Sequence, residues 1–257
     1  MTHLIVSAAC LAAVGWQAAG EKPSEPAAAL RIDPDWKPLG RDVWLDAKSS
    51  PRRLVLRARV VFREGPLEHL LCLRGTKEHE AVLATDAPPT QIHAGLLLTG
   101  AQPGGPVSYK PEYKPPHGPA IAITARWKDG DQVREADARS FIQDEETKKA
   151  LAIDWVFAGS ILYEDPITKQ PTYAAKDGDL ITVANFPAAI LDLPVASSAN
   201  DAERSYVAFT EHLPPLGTEV LLVLTPRGDA AAARKKAEGP PRQDAPRTSE
   251  QESGRDR

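Results

Sequence analysis

Residues 54–62 read LVLRARVVF, and the alternation in this stretch decides the fold class. Its apolar side chains occupy every second position, at Leu54, Leu56, Ala58, Val60 and Phe62. Side chains of a β-strand point alternately to its two faces, so this spacing predicts a strand with one buried face. The arginines between them predict a solvated basic face. We favour that interpretation over an anion-binding row of arginines because Glu64 and Glu68 follow closely.

Short apolar segments of the same kind recur along the chain and predict further strands. They are LEHLLCL at 67–73, EAVLATD at 80–86, AIAITARW at 120–127, DWVFAGSILYED at 154–165, DLITV at 179–183 and EVLLVL at 219–224. We expect LEHLLCL to be the return strand of a hairpin with residues 54–62, because Gly65 and Pro66 provide a turn between them.

Three segments predict helices. The clearest runs from Thr90 to Leu98, with Pro89 suited to its start, Thr90 as a possible cap and Gly100 as its stop. The others are ARSFIQDEETKKAL at 138–151 and SSANDAERSYVAFTE at 197–211. Many short strands with a few helices predict an α+β fold, a mainly antiparallel β domain of short strands with one to three inserted helices.

The N-terminal segment predicts export. An apolar run from Leu4 to Gly15 is shorter than the roughly 20 residues that a membrane span needs. Ala-Ala-Gly at 18–20 provides the small residues of a cleavage site before Glu21, so residues 1–20 are expected to be a signal peptide. No Lys or Arg precedes the apolar run. Two alternatives therefore stay open: lipoprotein cleavage before Cys10, and a disordered Ala-rich segment.

Composition divides the rest of the chain into one folded domain between two extended segments. Residues 21–29 are rich in Pro and Ala and indicate a linker. Residues 228–257 carry almost no large apolar side chains and indicate a disordered, charged tail. Residues 30–227 are therefore expected to form a single domain, and a hydrophobic content of 42% is enough for a sizeable core.

Cysteine content and net charge limit the disulfides and the binding partners that the chain is expected to have. After signal cleavage only Cys72 would remain, so no internal disulfide is expected, and its apolar neighbours predict a small buried side chain. The net charge of −4 argues against a nucleic-acid partner.

A charged cluster at residues 77–80, KEHE, is the main candidate for chemistry. A histidine between two carboxylates is suited to metal binding or acid–base work. In an extended strand, however, His79 would point away from Glu78 and Glu80, so the three would not converge on one ion. We therefore expect no cofactor and no metal, with His79 as the weak metal candidate, and a cluster of salt bridges and turn contacts at this position.

Other motifs for catalysis are incomplete. The zinc-binding patterns HExxH and paired CxxC do not occur in the sequence. Ser160 follows a glycine but lacks the second glycine of the nucleophile motif GxSxG. Asp177-Gly178-Asp179 lacks the full acidic spacing of a calcium loop and predicts a turn.

Several stretches together resemble the YdjY-domain family. They are GTKEHEAVLATDAPPTQIHAGLLLTGAQPGGPV at 75–107, PEYKPPHGPAIAI at 111–123, DWVFAGS at 154–160, VANFPAAILDLPVASSAN at 183–200 and FTEHLPPLGTEVLLVL at 209–224. The resemblance covers roughly residues 30–224 and implies an exported protein of the kind found in planctomycete bacteria. It implies no catalytic residues, because the family has no established activity.

We therefore expect an exported, periplasmic or secreted, non-enzymatic binding or structural module with an unidentified ligand or protein partner. Its candidate polar site consists of Lys77, Glu78, His79, Glu80, Asn185 and Asn200. The alternative is a metal-dependent or hydrolytic enzyme that uses His79 with Glu78 or Glu80. No integral membrane segment is expected after signal removal.

Overall fold

The structure is a computed structural model that describes residues 30–196 and 206–228. The signal peptide and linker predicted for residues 1–29, and the tail predicted from residue 229 onward, lie outside these ranges. Asn200 and the first nine residues of the third predicted helix, 197–205, also lie outside them.

Most of the regular elements in the described chain are short strands, in the following order. They are β1 (Lys37–Gly40), β2 (Val43–Asp46), β3 (Arg53–Val60), β4 (His69–Leu73), β5 (Ala81–Thr85), β6 (Ala120–Asp129), β7 (Gln132–Asp137), β8 (Ile142–Asp144), β9 (Trp155–Phe157), β10 (Leu162–Glu164), β11 (Pro171–Tyr173), β12 (Asp179–Thr182), β13 (Leu191–Asp192), β14 (Tyr206–Ala208) and β15 (Glu219–Pro226). One α-helix, α1 (Pro89–Leu98), follows β5.

Eight of these strands close into a β-barrel, in the order β3, β15, β6, β9, β13, β12, β4 and β5. The ring closes where β5 pairs back with the second half of β3, through Arg59 opposite Ala84 and Val60 opposite Leu83. Most neighbouring strands are antiparallel, but β4 with β5 and β12 with β13 are parallel pairs. Outside the ring, β1 and β2 extend the first half of β3, and β7 pairs with β6.

The predicted α+β class is wrong. The chain is mostly β, with 41% strand and 13% helical residues, one α-helix and a closed barrel that the prediction did not include. The physical reason is that closure depends on the long-range pairing of β3 with β5. A strand shows the same alternation of apolar and polar residues in an open sheet and in a barrel, so the pattern alone does not reveal closure.

The hairpin predicted for residues 54–73 is also wrong. β4 does not pair with β3; it lies between β12 and β5. The Gly65-Pro66 segment therefore leads the chain across the barrel end instead of into an adjacent antiparallel strand.

The second predicted helix, 138–151, is replaced by a 3-10 turn at Ala138–Phe141 and by β8, which pairs with β14. Its run of charged residues forms a tight turn, in which the Lys148 N–H donates to the carbonyl of Asp144 at 2.8 Å. The described part of the third predicted helix is likewise not α-helical, because it forms β14 and a 3-10 turn at Thr210–His212.

The predicted buried face of β3 is confirmed, whereas the other face, predicted to be solvated, is exposed only in part. Its alternate apolar residues Leu54, Leu56, Ala58 and Val60 enter the main core, together with residues of β6 and β15. Val55 lies on the opposite face, where Trp36 and Trp44 pack over it in a second cluster. Arg59 on that same face is exposed.

Cys72 is fully buried beside Ala81 and Ala84, as predicted for a small apolar side chain. Burial raises the pKa of its thiol to about 11. The thiol is therefore protonated at neutral pH and is not a nucleophile there.

The first predicted helix is confirmed as α1. Proline stands at its first turn and Gly100, with a φ of 97°, follows its end. The helix buries Ile92, Gly95 and Leu96 against the sheet. A Cβ at Gly95 would collide with Leu54 Cδ1 and would lie 3.2 Å from Leu39 Cδ1, so the helix approaches the sheet closely only because this position is glycine.

Gly95→Ala is predicted to destabilise the protein although alanine is the better helix former. Alanine in a helix interior gains about 1 kcal/mol over glycine, whereas overpacking a filled core costs about 1–3 kcal/mol. We expect a net loss of about 1 kcal/mol in the free energy of unfolding, measured by urea titration. Ala94→Gly on the exposed side of α1 is the control for helix propensity alone. A Gly95→Ala protein as stable as the parent would show that the helix does not pack in this way.

Candidate functional site

The KEHE segment does not continue strand β5, as the sequence analysis assumed, but forms a 3-10 turn at Glu78–Glu80 immediately before it. The side chain of His79 is 76% exposed, and its Nε2 lies 3.7 Å from Glu80 Oε1. Glu78 Oε1 accepts a hydrogen bond from the Gly75 N–H at 3.1 Å. The turn thus directs Lys77 and Glu80 inward and leaves His79 in solvent.

Five ionisable residues meet where this turn reaches the barrel. We call this group the charged cluster; it consists of Glu68, His69, Lys77, Glu80 and Asp179. Its centre is the hydrogen bond of 2.8 Å between His69 Nε2 and Asp179 Oδ1, which lies inside the protein because His69 is 0% exposed. Lys77 Nζ lies 3.6 Å from Asp179 Oδ1 and 3.9 Å from Glu80 Oε1.

Strand pairing brings these residues together from three separate segments. β4 and β5 are parallel, so both begin at the same end of the barrel, and the Glu68 N–H donates to the carbonyl of Glu80 at 3.0 Å. β12 pairs antiparallel with β4, so Asp179 at its start lies opposite Cys72 near the far end of β4. The side chains of His69 and Asp179 reach toward each other along this strand pair. The cluster is therefore a consequence of barrel topology.

A glycine turn seats Lys77 beside Asp179. Gly178 has a φ of 119°, a left-handed conformation that favours glycine. A Cβ there would collide with the Thr76 hydroxyl and lie 2.9 Å from Thr76 Cβ. The predicted Asp-Gly-Asp turn is present, and the absence of a side chain at Gly178 lets it pack directly on the segment that carries Lys77.

Phe186 covers the cluster. Its ring stacks on the imidazole of His69 with a centroid separation of 5.3 Å and an interplanar angle of 15°. Lys77 Nζ lies 5.3 Å from the centroid of the same ring, within the range of a cation–π contact. One aromatic ring thus contacts both the imidazole and the ammonium group.

The protonation of the central pair follows from its surroundings. Burial lowers the pKa of His69, although the hydrogen bond to Asp179 acts to raise it. Burial acts to raise the pKa of Asp179, but the hydrogen bond from His69 and the charge of Lys77 outweigh it, so this pKa lies below its ordinary value. An ionised carboxylate only accepts hydrogen bonds, so the shared proton resides on His69 Nε2.

A second buried polar network holds the backbone of Phe186. Its centre is Asp192, which is 0% exposed and accepts hydrogen bonds from the Thr182 hydroxyl at 2.9 Å and the Asn185 side-chain amide at 3.2 Å. The backbone N–H groups of Phe186 and Leu193 also donate to it, at 3.3 and 2.8 Å. Burial raises the pKa of Asp192 to about 7, against the opposing effect of these donors.

Asn185 connects this network to a loop of tyrosines. The hydroxyl of Tyr113 donates to Asn185 Oδ1 and the hydroxyl of Tyr109 donates to the Asn185 carbonyl, both at 2.8 Å. Asn185 thus belongs to the scaffold that holds Phe186 over the charged cluster. Among the predicted site residues, Lys77 and Glu80 lie in the cluster, Asn185 lies beside it, and Asn200 is not described.

Ser160 lies outside the charged cluster, near His93 and Tyr173. It has a φ of 63° and follows Gly159, whose carbonyl accepts a hydrogen bond from the Tyr173 hydroxyl at 3.2 Å. The same hydroxyl lies 2.8 Å from Nδ1 of His93, whose pKa is lowered by burial. This arrangement ties helix α1 to the strand end after β9.

Sequence reasoning missed four residues of this region. They are Glu68, His69, Asp179 and Asp192. Each is an ionisable residue within or at the start of an apolar strand segment, and such a residue is rarely buried without a partner. Charged residues inside LEHLLCL, DLITV and AILDLPV were therefore the signal that would have pointed to them.

Comparison with known proteins identifies the family. Residues 41–225 match the family model of the YdjY domain. The chain belongs to the YdjY domain family. The match covers the barrel, helix α1 and the charged cluster, and it confirms the resemblance inferred from the sequence blocks.

The other comparisons add no relative. No curated protein and no solved structure matches this chain. The function of the YdjY domain is not established, so its role has to be inferred from its geometry. Within residues 30–196 and 206–228, no helix is both long and apolar enough to cross a bilayer.

Asp192 is predicted to make stability depend on pH. Its pKa is about 7 in the folded protein, against an ordinary value of 3.8 for an aspartate side chain, so the folded state binds the proton more tightly. Stability from this group is complete below about pH 4 and is lost as the pH rises toward 7, by about 1 kcal/mol per pH unit. Asp192→Asn, which cannot titrate, should lack this slope.

The measurement is the free energy of unfolding from urea titrations of both proteins at pH 5, 6, 7 and 8. His69 is present in both proteins, so the difference between their pH profiles isolates Asp192. Parallel pH profiles for the parent and Asp192→Asn would contradict the assignment.

Proposed function

We propose that this YdjY-domain chain is an exported binding module that takes its ligand at the charged cluster. The observation that carries the proposal is the fully buried His69–Asp179 pair, with Lys77 and Glu80 close to it. Removing a carboxylate from water costs several kcal/mol, and a buried charge held by polar partners is weak evidence for stability. Strongly desolvated titratable groups with specific charge partners are typical of functional sites.

The position of the cluster supports the proposal. It lies beside β4 and β12, where the segment that joins β4 to β5, the turn before β12 and the Phe186 loop come together. Loops and strand ends on a rigid β scaffold commonly carry binding sites. Glu78 and His79, the exposed part of the KEHE segment, border this region, and neither belongs to the charged cluster.

The alternative is an enzyme in which His79 works with Glu78 or Glu80. The solvent exposure of His79 and its distance of 3.7 Å from Glu80 speak against a base held in place by a carboxylate. Ser160 stands beside Gly159 and Tyr173, and the histidine bonded to Tyr173 is His93. These contacts favour binding over hydrolysis. The acidic balance of the chain disfavours nucleic acid as the ligand.

If the cluster serves binding rather than folding, replacing its central pair by apolar residues should not destabilise the protein. We expect His69→Leu/Asp179→Val to unfold with a free energy equal to that of the parent or about 1–4 kcal/mol higher. Asp179→Val alone should lose about 3 kcal/mol, because the Nε2–H of His69 and the charge of Lys77 lose their partner. Urea titration at pH 7 measures both.

The matched control is the pair of Arg53 and Asp46. Asp46 also accepts hydrogen bonds from Ser49 and so holds the turn after β2. Replacing both members of that pair should destabilise the protein. A His69→Leu/Asp179→Val protein that loses as much stability as this control would make the cluster structural and refute the proposed function.

Export is tested separately, with the complete chain produced in a Gram-negative bacterium. We expect the protein in the periplasmic fraction with Glu21 as its first residue, since Ala18 and Gly20 fit the positions before a signal-peptidase cleavage site. Ala18→Asp should block this cleavage, because a charged side chain is not accepted there. A cytoplasmic protein that begins at Met1 would contradict export, and lipid attached at Cys10 would establish the lipoprotein alternative.

A further inference from the structure

We propose that the ligand of the charged cluster is a divalent transition-metal ion, bound by Glu68, His69 and Glu80 and oriented by Asp179. This inference rests on the proposed function, because it names the chemical class that the same site binds. It differs from the metal hypothesis based on His79, whose side chain is in solvent.

Geometry brings the three donors together. One ligand atom from each of Glu68, His69 and Glu80 lies within 4.8 Å of the other two. In the part of the chain that the structure describes, this is the group of three His, Cys, Asp or Glu residues with such spacing. Donors about 2.1 Å from a tetrahedral ion lie about 3.4 Å apart, so side-chain movements of roughly 1 Å would close the set.

Burial distinguishes this group from an ordinary acidic surface cluster. His69 is 0% exposed, Glu68 is 6% exposed and the side chain of Glu80 is 12% exposed. Two carboxylates from adjacent strand starts are thus held near one imidazole inside the protein. A positive charge in their midst would offset their mutual repulsion.

The imidazole itself points to a ligand. Its Nε2–H donates to Asp179, so its Nδ1 carries a lone pair. Nδ1 is buried and has no hydrogen-bond partner among the residues that the structure describes. A metal-binding histidine characteristically donates its other ring N–H to a carboxylate, which fixes the tautomer and orients the ring. His69 and Asp179 already have this relationship.

The donor set indicates the class of ion. One imidazole nitrogen and two carboxylates suit Zn²⁺ or Mn²⁺, whereas Ca²⁺ takes 6–8 oxygen ligands. Three protein donors leave further coordination positions for water or for a donor of a partner molecule. We therefore choose Zn²⁺ as the probe and Ca²⁺ as the discriminating control.

Lys77 is the competing cation. Its ammonium lies 3.9 Å from Glu80 Oε1 and 3.6 Å from Asp179 Oδ1, and its position over Phe186 keeps it nearby. An ion at Glu80 would repel this ammonium toward Asp179 or solvent. Removing the charge of Lys77 should therefore strengthen metal binding, an effect that a purely structural salt bridge would not produce.

The experiment is a competition titration of the metal-stripped complete chain with Zn²⁺ and a chromophoric chelator at pH 7.5. We expect one Zn²⁺ per chain, with Glu80→Gln and His69→Gln each weakening the affinity at least tenfold. Asp179→Asn should weaken the Zn²⁺ affinity about tenfold, as expected for a carboxylate that orients a metal-binding histidine. Lys77→Met should bind more tightly, by about tenfold. His79→Ala is the control, because His79 lies on the exposed side of the same turn, and this variant should bind Zn²⁺ like the parent.

A second readout protects against variants that fold poorly. Co²⁺ bound by nitrogen and oxygen donors absorbs visible light, and this absorption should appear with the parent and Lys77→Met and be lost in Glu68→Gln/Glu80→Gln. Circular dichroism and the urea midpoint show which variants are folded. Glu68→Gln alone gives an independent test if the double variant unfolds.

Three outcomes would overturn the metal assignment. They are no stoichiometric Zn²⁺, binding of Ca²⁺ as tight as that of Zn²⁺, and Zn²⁺ binding that depends on His79 and not on Glu80. Failure here is distinguishable from failure of the binding module. A parent protein that binds no stoichiometric Zn²⁺, together with a stable His69→Leu/Asp179→Val protein, retains the module and refutes the metal. An unstable His69→Leu/Asp179→Val protein refutes the module itself.

Discussion

The pairing of β3 with β5 is the contact on which the remaining architecture depends. It consists of two residue pairs, Arg59 with Ala84 and Val60 with Leu83, and is extended by the Val61 N–H, which donates to the carbonyl of Val82 at 3.0 Å. The Thr85 hydroxyl adds a bond of 2.6 Å to the Arg57 carbonyl. Closing the ring here removes the exposed edge that both strands would otherwise present.

Closure also determines where the polar residues go. Because β5 is fixed against β3, β4 occupies the place between β5 and β12, parallel to the first and antiparallel to the second. The start of β4 then lies beside the turn before β5, and Asp179, opposite Cys72 on the neighbouring β12, lies within hydrogen-bond reach of the His69 side chain. The charged cluster is thus assembled by main-chain pairing, and its side chains do not have to hold the strands together.

Much of the architecture is readable from local pattern, and the rest depends on contacts distant in sequence. The alternation at 54–62 and the Pro–Gly boundaries of α1 were sufficient, because strand faces and helix ends are local properties. The helix predicted at 138–151 failed because Phe141 and Ile142 are buried next to each other and β8 pairs with a segment more than 60 residues away. Barrel closure likewise depends on pairing between strands that are distant in sequence.

The candidate site shows the same division. Lys77 and Glu80 were selected because they stand in an obviously charged segment, whereas His69 and Asp179 were passed over as parts of apolar strands. The expected extended backbone at 77–80 separated the donors, and the 3-10 turn that is present brings Lys77 and Glu80 to one side. The conformation of these three residues therefore leaves His79 in solvent and makes His69 the histidine of the candidate site.

The burial of the Cys72 thiol determines how the barrel would respond to oxidising conditions. A cysteine forms mixed disulfides with small thiols or with other copies of the protein only if it is ionised to the thiolate and accessible. With its sulfur enclosed beside Ala81 and Ala84 and protonated up to about pH 11, this chain meets neither requirement. Cys72 can therefore remain without a disulfide partner under oxidising conditions.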